Sequence, residues 1–433
     1  MSLRTYALLF AVLFLRPLLH ADGFPLLVTD PNRSSTETSV AHTIRSTWQN
    51  PSDTLSILLI IGGDVVLKAL AQLSGRRLAP VAFSFGWVAY SFNTLMSVFG
   101  DGRLMPPPDN PAKLINLQSG SIRESRSWVL GRLLRDFERP LSDKVAASIT
   151  VFEALPNASY PAGVPSIDWC WIGGVVTILL QLGISAIPFG LQGDWSTLLV
   201  TVSGTVLALA TSALPQWRSE KWACRRNTNK IFSLTGGNGS RDIIVIIGAG
   251  QCLDLEDLAV AESPMVSRGN TKTFRNLPRA FVFTQVACLL LAVLWIVFLI
   301  TVTSIKSSAW YLLLVGGLGM VQNAIAAGAR RGMGTSGIHL EMVEEIAGAK
   351  VMHAVMDFED AYAGIGRPLM HEFFSDESNL RPTEVKWWNG DRREYDDERF
   401  RKYPDSRPKE LSDKAYRARE RYRERRERSK GGK

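Results

Sequence analysis

The sequence predicts an all-α integral membrane protein made of three transmembrane helix hairpins, six spans in all, with long polar loops and a basic C-terminal tail. Three observations predict it. Six apolar runs, at 54–73, 79–99, 169–191, 195–215, 280–303 and 309–329, each approach the roughly 20 residues that cross a hydrocarbon core at about 1.5 Å per residue. The runs fall in pairs separated by short turns. Trp169, Trp171, Trp195, Trp217 and Trp310 stand at their ends, where the amphipathic indole prefers the headgroup layer. In lipid the backbone must satisfy its own polar groups, so isolated runs of this length read as helices.

The pairing divides the 433 residues into hairpins at 54–99, 169–215 and 279–329 and polar stretches at 22–53, 100–168, 216–278, 330–380 and 381–433. Because the turns at 74–78, 192–194 and 304–308 are short, the stretches at 100–168, 216–278 and 330–433 must share one side of the membrane. Arg218, Lys221, Arg225, Arg226, Arg268, Lys272, Arg275, Arg279, Arg330 and Arg331 flank the spans on that side, against Arg76, Arg77 and Lys306 in the turns. The positive-inside rule therefore places the long loops in the cytosol of a plasma-membrane or endomembrane protein.

Residues 1–21 point the other way: Arg4, an apolar stretch from Tyr6 to Leu15 and Ala21 read as a signal peptide, which would put the long loops in the lumen. An uncleaved N-terminal membrane segment, a seventh span, resolves the conflict, although Arg16 and Pro17 make it a poor one. Sequons at Asn32, Asn157 and Asn238 report on the choice, since only lumenal asparagines are glycosylated.

Within the first loop, Trp128, Leu130, Leu133, Leu134, Phe137 and Leu141 form an apolar stripe at helical spacing, flanked by Arg126, Arg132, Arg135 and Arg139. That pattern fits a basic amphipathic helix over 126–141 on an anionic membrane surface, or equally one packed on another loop of the chain. The second loop carries Ile243 to Ile247 followed by Gly248, Ala249 and Gly250. Leu253 stands where a dinucleotide fingerprint needs its third glycine, so 230–234 and 243–247 read instead as a β-hairpin, with a short acidic helix over 253–261. In the C-terminal region Ile338, Met342, Val343, Ile346, Val355 and Phe358 suggest an amphipathic helix. Arg and Glu alternate from Lys409 to Lys430, which reads as a solvated single helix or a disordered tail. The net charge of +8 permits contact with anionic lipid by this tail and by 126–141. Nucleic acid is not an expected partner, because glutamates dilute the charge and no aromatic stacking platform accompanies it.

Four dispersed cysteines and five dispersed histidines form no CxxC or HExxH spacing, so neither a metal nor a cofactor is expected. No Ser/His or paired-Asp constellation falls at membrane depth, which argues against a hydrolase. The strings PVAFSFGWVAYSFNTLMSVFGDGRLMP from Pro80, SWVLGRLLRDF from Ser127, QWRSEKWACRR from Gln216 and LTGGNGSRDIIVIIGAGQCLDLEDLA from Leu234 resemble those of a family of filamentous-fungal multi-pass membrane proteins without an established activity. The resemblance covers most of 40–360 and brings no functional residues with it.

Two functions remain as expectations. One is a non-enzymatic scaffold, sensor or receptor-like component that presents its polar mass on one face. The alternative is a transporter or channel for a small solute or ion, for which Asp64, Lys68, Asn93, Gln181, Gln285, Gln322 and Asn323 supply polar groups within spans. Asp64 and Lys68, four residues apart, share a helix face and read as an intramembrane ion pair, more simply static than a relay because no further acids lie deep in the other spans. Gly316, Gly319 and Asn323 lie on the small-residue side of the last span, where close approach of another helix is expected.

Overall fold

A computed structural model describes residues 62–139, 141–143, 145–155, 160–263, 273–274, 277–305, 309–374, 380–404 and 411–431. Residues 1–61, with the signal-peptide reading, Asn32 and the start of the first predicted span, lie outside the described residues, as does Asn157. The chain is not all-α: its polar stretches build a mixed six-stranded sheet on a helix bundle.

The bundle contains α1 (Gly63–Leu73), α2 (Trp87–Gly100), α4 (Trp169–Gln192), α5 (Ser196–Ser212), α6 (Pro215–Lys221), α8 (Arg279–Thr303) and α9 (Ala309–Gly328). Among the described residues three helices, α4, α8 and α9, are long and apolar enough to cross a membrane, and the bent pair α5–α6 makes a fourth if it is one span. These helices make the chain membrane-associated. Their outward faces carry Ile172, Leu179, Leu180, Val206, Leu290, Val293 and Val297, all exposed, while Thr177, Gln181, Ser185, Thr197, Thr201 and Thr205 are buried. A soluble bundle has the opposite arrangement; lipid on the outside explains this one.

Among the described residues, therefore, three or four spans stand in place of six or seven, and the shortfall falls on the first predicted hairpin. Helix α1 has 11 described residues and α2 has 14, or roughly 16 and 21 Å, each short of a core about 30 Å thick. Between them the stretch 79–86 is not helical. Pro80, with the phenylalanines at 83 and 85, makes this an apolar run by composition that hydropathy cannot tell from a helix. The turn at 74–78 also lies on the sheet side: Arg76 Nε donates to Pro165 O at 3.0 Å, and Lys221 Nζ to Ser74 O at 2.8 Å. After α2 the chain returns to that same side, where Gln216 Nε2 donates to Gly102 O at 2.9 Å and Glu220 accepts the N–H groups of Leu104 and Met105. Residues 74–100 thus enter the bundle and leave it on one side.

The sheet runs β2 (Ile122–Glu124), β1 (Lys113–Asn116), β4 (Ile231–Thr235), β5 (Asp242–Ile247), β3 (Ala147–Ala154), β8 (Leu340–Gly348), and a two-residue ribbon of β6 (Thr273–Phe274) and β7 (Leu277–Pro278) leads into α8. The β4–β5 hairpin pairs Ile231 with Ile247 and Thr235 with Ile243. Strand β3, from the first polar stretch, lies parallel to β5 and antiparallel to β8, so all three stretches meet in one sheet. Both faces are covered, which is why β5 is a continuous apolar run rather than an alternating one. Ile243, Val245 and Ile247 face α10 (Val351–Ala361) and α11 (Gly366–Phe373). Ile244 and Ile246 face the layer of α3 (Trp128–Phe137) and α7 (Leu255–Val260).

Three local expectations change in this context. Of the amphipathic helix expected from Ile338 to Phe358, Val355 and Phe358 are helical, in α10, whereas Met342, Val343 and Ile346 lie in strand β8, paired with β3. The apolar stripe of the helix predicted over 126–141 is buried on the sheet through Val129, Leu130, Leu133 and Leu134, so that stripe packs on the chain itself rather than on a bilayer. The stretch 381–433 is not a plain solvated tail, because α12 (Pro382–Trp388), α13 (Arg393–Lys402) and α14 (Asp413–Gly431) dock on the sheet and on α10. Arg419 pairs with Glu344 and Arg421 with Glu153, Arg399 binds Asp357 through both terminal nitrogens at 2.7 and 2.6 Å, and Trp387, Tyr395 and Tyr422 are buried. Alternating charge reads as solvated only while its partners, distant in sequence, are unseen.

Candidate functional site

Segment 79–86 is the feature around which the bundle is arranged. Non-helical backbone at membrane depth persists only where protein groups satisfy its carbonyls. Here Gln181 Nε2 donates to Phe83 O at 2.6 Å and to Val315 O at 2.8 Å. Asn323 Nδ2 donates to Ala82 O at 3.0 Å and to Ser84 Oγ at 3.1 Å, and Trp87 Nε1 also donates to Ala82 O, at 2.9 Å. Ring packing completes the seat: Phe83 meets Phe298 edge-on at 5.4 Å and Trp87 stacks on Trp295 at 5.7 Å.

The small residues of the neighbouring helices make room for this segment. A Cβ on Gly319 would stand 1.7 Å from Phe83 O, and one on Gly316 2.1 Å from the Phe85 ring. Gly174 in α4 meets Pro80 O in the same way, and Gly204 in α5 the Phe83 ring. Gly316, Gly319 and Asn323 are thus brought together against the extended segment, with Gln181 of α4 also close to Gly319. The sequence marks the closeness of the contact; a small-residue stripe does not say what will lie on it.

Asp64 and Lys68 lie one turn apart on the exposed side of α1. Among the described residues no ion pair within 4.0 Å joins them, and neither meets Gln181 or Asn323.

The second cluster stands where the bundle joins the sheet domain. Lys221, buried at the end of α6, donates to the carbonyls of Ala71 at 2.7 Å, Gln72 at 3.3 Å and Ser74 at 2.8 Å. It thereby caps α1, whose final carbonyls lack helical partners and carry the negative end of the dipole. Arg331, three residues beyond α9, forms a bidentate pair with Asp168, Nε to Oδ2 at 2.7 Å and Nη2 to Oδ1 at 2.6 Å, and donates Nη1 to Gln72 O at 2.8 Å. Asp168 is in turn the N-cap of α4 and accepts Trp171 N–H at 3.1 Å. Trp222 closes the joint from the domain side, with Gly75 (φ +132°) and Gly337 (φ +77°) against its indole. Gly75 is required twice over, by its positive φ and by the 2.1 Å that a Cβ would leave to the ring.

Four helix ends are therefore held together through Lys221, Arg331 and Asp168. None of these stands out in the sequence, where Lys221 and Arg331 count only as flanking charge. Among the described residues no group of three or more His, Cys, Asp and Glu is placed to hold a metal. In the sheet domain Asp254 caps α7 by accepting Glu256 N–H at 3.1 Å. With Glu256 it also pairs with Lys230, so the turn after β5 presents carboxylates where a nucleotide phosphate would need donors. Comparison of the chain with protein-family models, with curated proteins and with solved structures finds no match.

Proposed function

We propose that this chain is a non-enzymatic membrane scaffold or sensor whose sheet domain faces the cytosol. One observation carries the reading: three polar stretches, separated in sequence by membrane helices, complete a single sheet, with the C-terminal helices docked on its far side. Such a domain forms only if every insertion is correct. The sheet-side placement of 74–78 adds Arg76 and Arg77 to the basic residues flanking the domain and supports the cytosolic orientation by the positive-inside rule. The plasma membrane and the endomembrane system suit it equally.

The transporter reading loses its main support, because Gln181 and Asn323 are engaged by the backbone of the chain itself. Complementation of a deletion strain separates the two. On the scaffold account the double variant Asp64→Asn/Lys68→Met restores the phenotype, whereas a chain ending at residue 411 accumulates in the membrane without restoring it. A transporter gives the reverse pattern, and that result would sink the proposal.

A further inference from the structure

Beside α3, at the level of the four joined helix ends, lies a cavity with about 20 Å³ of room for the centres of water-sized atoms, bordered by Trp128, Arg132, Asp136, Lys221 and Arg331. Room for one water centre takes about 10–15 Å³, so the space suits a water or an oxygen or two of a larger group reaching in from the mouth. Arg132 is 5 % exposed. Its Nη2 holds Asp109 at 2.7 Å and its guanidinium lies over the Trp128 ring, 4.4 Å from the centre. Its Nε and Nη1, together with Trp128 Nε1, are buried donors with no acceptor among the described residues.

Orphaned donors of this kind, two of them on a cation, indicate an acceptor that belongs there. Arg132 is matched by Asp109, Arg135 by Asp136 and Arg331 by Asp168, whereas Lys221, among the described residues, meets only carbonyl oxygens. These three carbonyls occupy Lys221 Nζ, so the donors left to an incoming acceptor are those of Arg132 and Trp128. The cluster lies at the sheet-side ends of α1, α4, α6 and α9, where the apolar bundle gives way to the polar domain.

We propose that this cavity receives the terminal oxygens of a phosphate monoester or of free phosphate, hydrogen-bonded by Arg132 Nε and Nη1 and Trp128 Nε1. Binding tests it independently of the scaffold reading. The full chain in an uncharged detergent is titrated with inorganic phosphate, with dioctanoyl phosphatidic acid and with dioctanoyl phosphatidylcholine, following the thermal unfolding midpoint. A saturable rise is expected with phosphatidic acid and not with phosphatidylcholine. A rise with inorganic phosphate as well shows that the free ion suffices; a rise with phosphatidic acid alone assigns the site to lipid. Trp128→Phe and Arg132→Lys keep the ring and the pair with Asp109 but remove donors, and each should raise the half-saturating concentration about tenfold. The control Arg225→Gln leaves it unchanged. No rise with either phosphate, an equal rise with phosphatidylcholine, or variants that titrate like the wild type would overturn the proposal and leave water as the occupant.

Discussion

Gly319 has no space for a side chain, since a Cβ there would collide with a backbone oxygen that is itself fixed by Gln181. Gly319→Ala should therefore lower stability by about 1–3 kcal/mol, the usual cost of forcing a methyl into a packed interior. Gly183→Ala, in the same bundle with nothing within 4 Å of its Cβ, should be neutral or slightly stabilising; detergent melts of the pair check both. Gln181→Leu leaves the Phe83 carbonyl without its donor and should cost on the order of 2 kcal/mol. The small residues at 316 and 319 are legible in the sequence alone, because only close approach explains them inside an apolar run. Their partner is not: Pro80 and Gly86 bound the stretch that turns from the helical path, but in a hydropathy reading they are diluted by Val81, Phe83 and Phe85.

At the scale of elements, the C-terminal helices are held by charge and should be released by acid. Burial alone would push Glu153 up, but hydrogen bonds from Arg421 and Arg425, and their charges, hold its carboxyl below the usual range. Burial, with Arg399, Lys350 and Arg381 nearby, pushes His353 down to about 3. Both groups bind fewer protons folded than unfolded, so their stabilisation is complete above the unfolded values, about 6.5 for His and about 4.3 for Glu. It is lost as pH falls: for His353 through the interval down to about 3, for Glu153 below the usual carboxylate range. Protection of the amides of α10 and α14, taken relative to their intrinsic exchange rates, should fall from pH 6 to pH 4, and His353→Leu should shift that fall to lower pH. Unchanged protection across the interval in the wild type would refute the docking scheme. Some of these elements are plain in the sequence: the β4–β5 hairpin through the glycines at 236, 237 and 239, and α3 through its stripe. Strand β3 is not, because its run ASITVFEA pairs only with strands far along the chain, so no local hairpin signal accompanies it.

For the whole molecule, the pairing of apolar runs correctly implies that the polar stretches share one side, but not that they fold together. A sheet made of strands from positions 113 to 348 is held by contacts that no local window contains. The measurement that tests it most directly is disulfide trapping between β3 and β8 in a chain whose four cysteines have been replaced. Thr150 stands opposite Glu345 and Glu153 opposite Glu341, with Arg139 reaching both Thr150 and Glu345. Thr150→Cys/Glu345→Cys should cross-link in membranes under mild oxidation, whereas Thr150→Cys/Glu341→Cys should not. Failure of the first pair in a correctly inserted protein, or equal cross-linking of both, would contradict a sheet assembled from separated polar stretches.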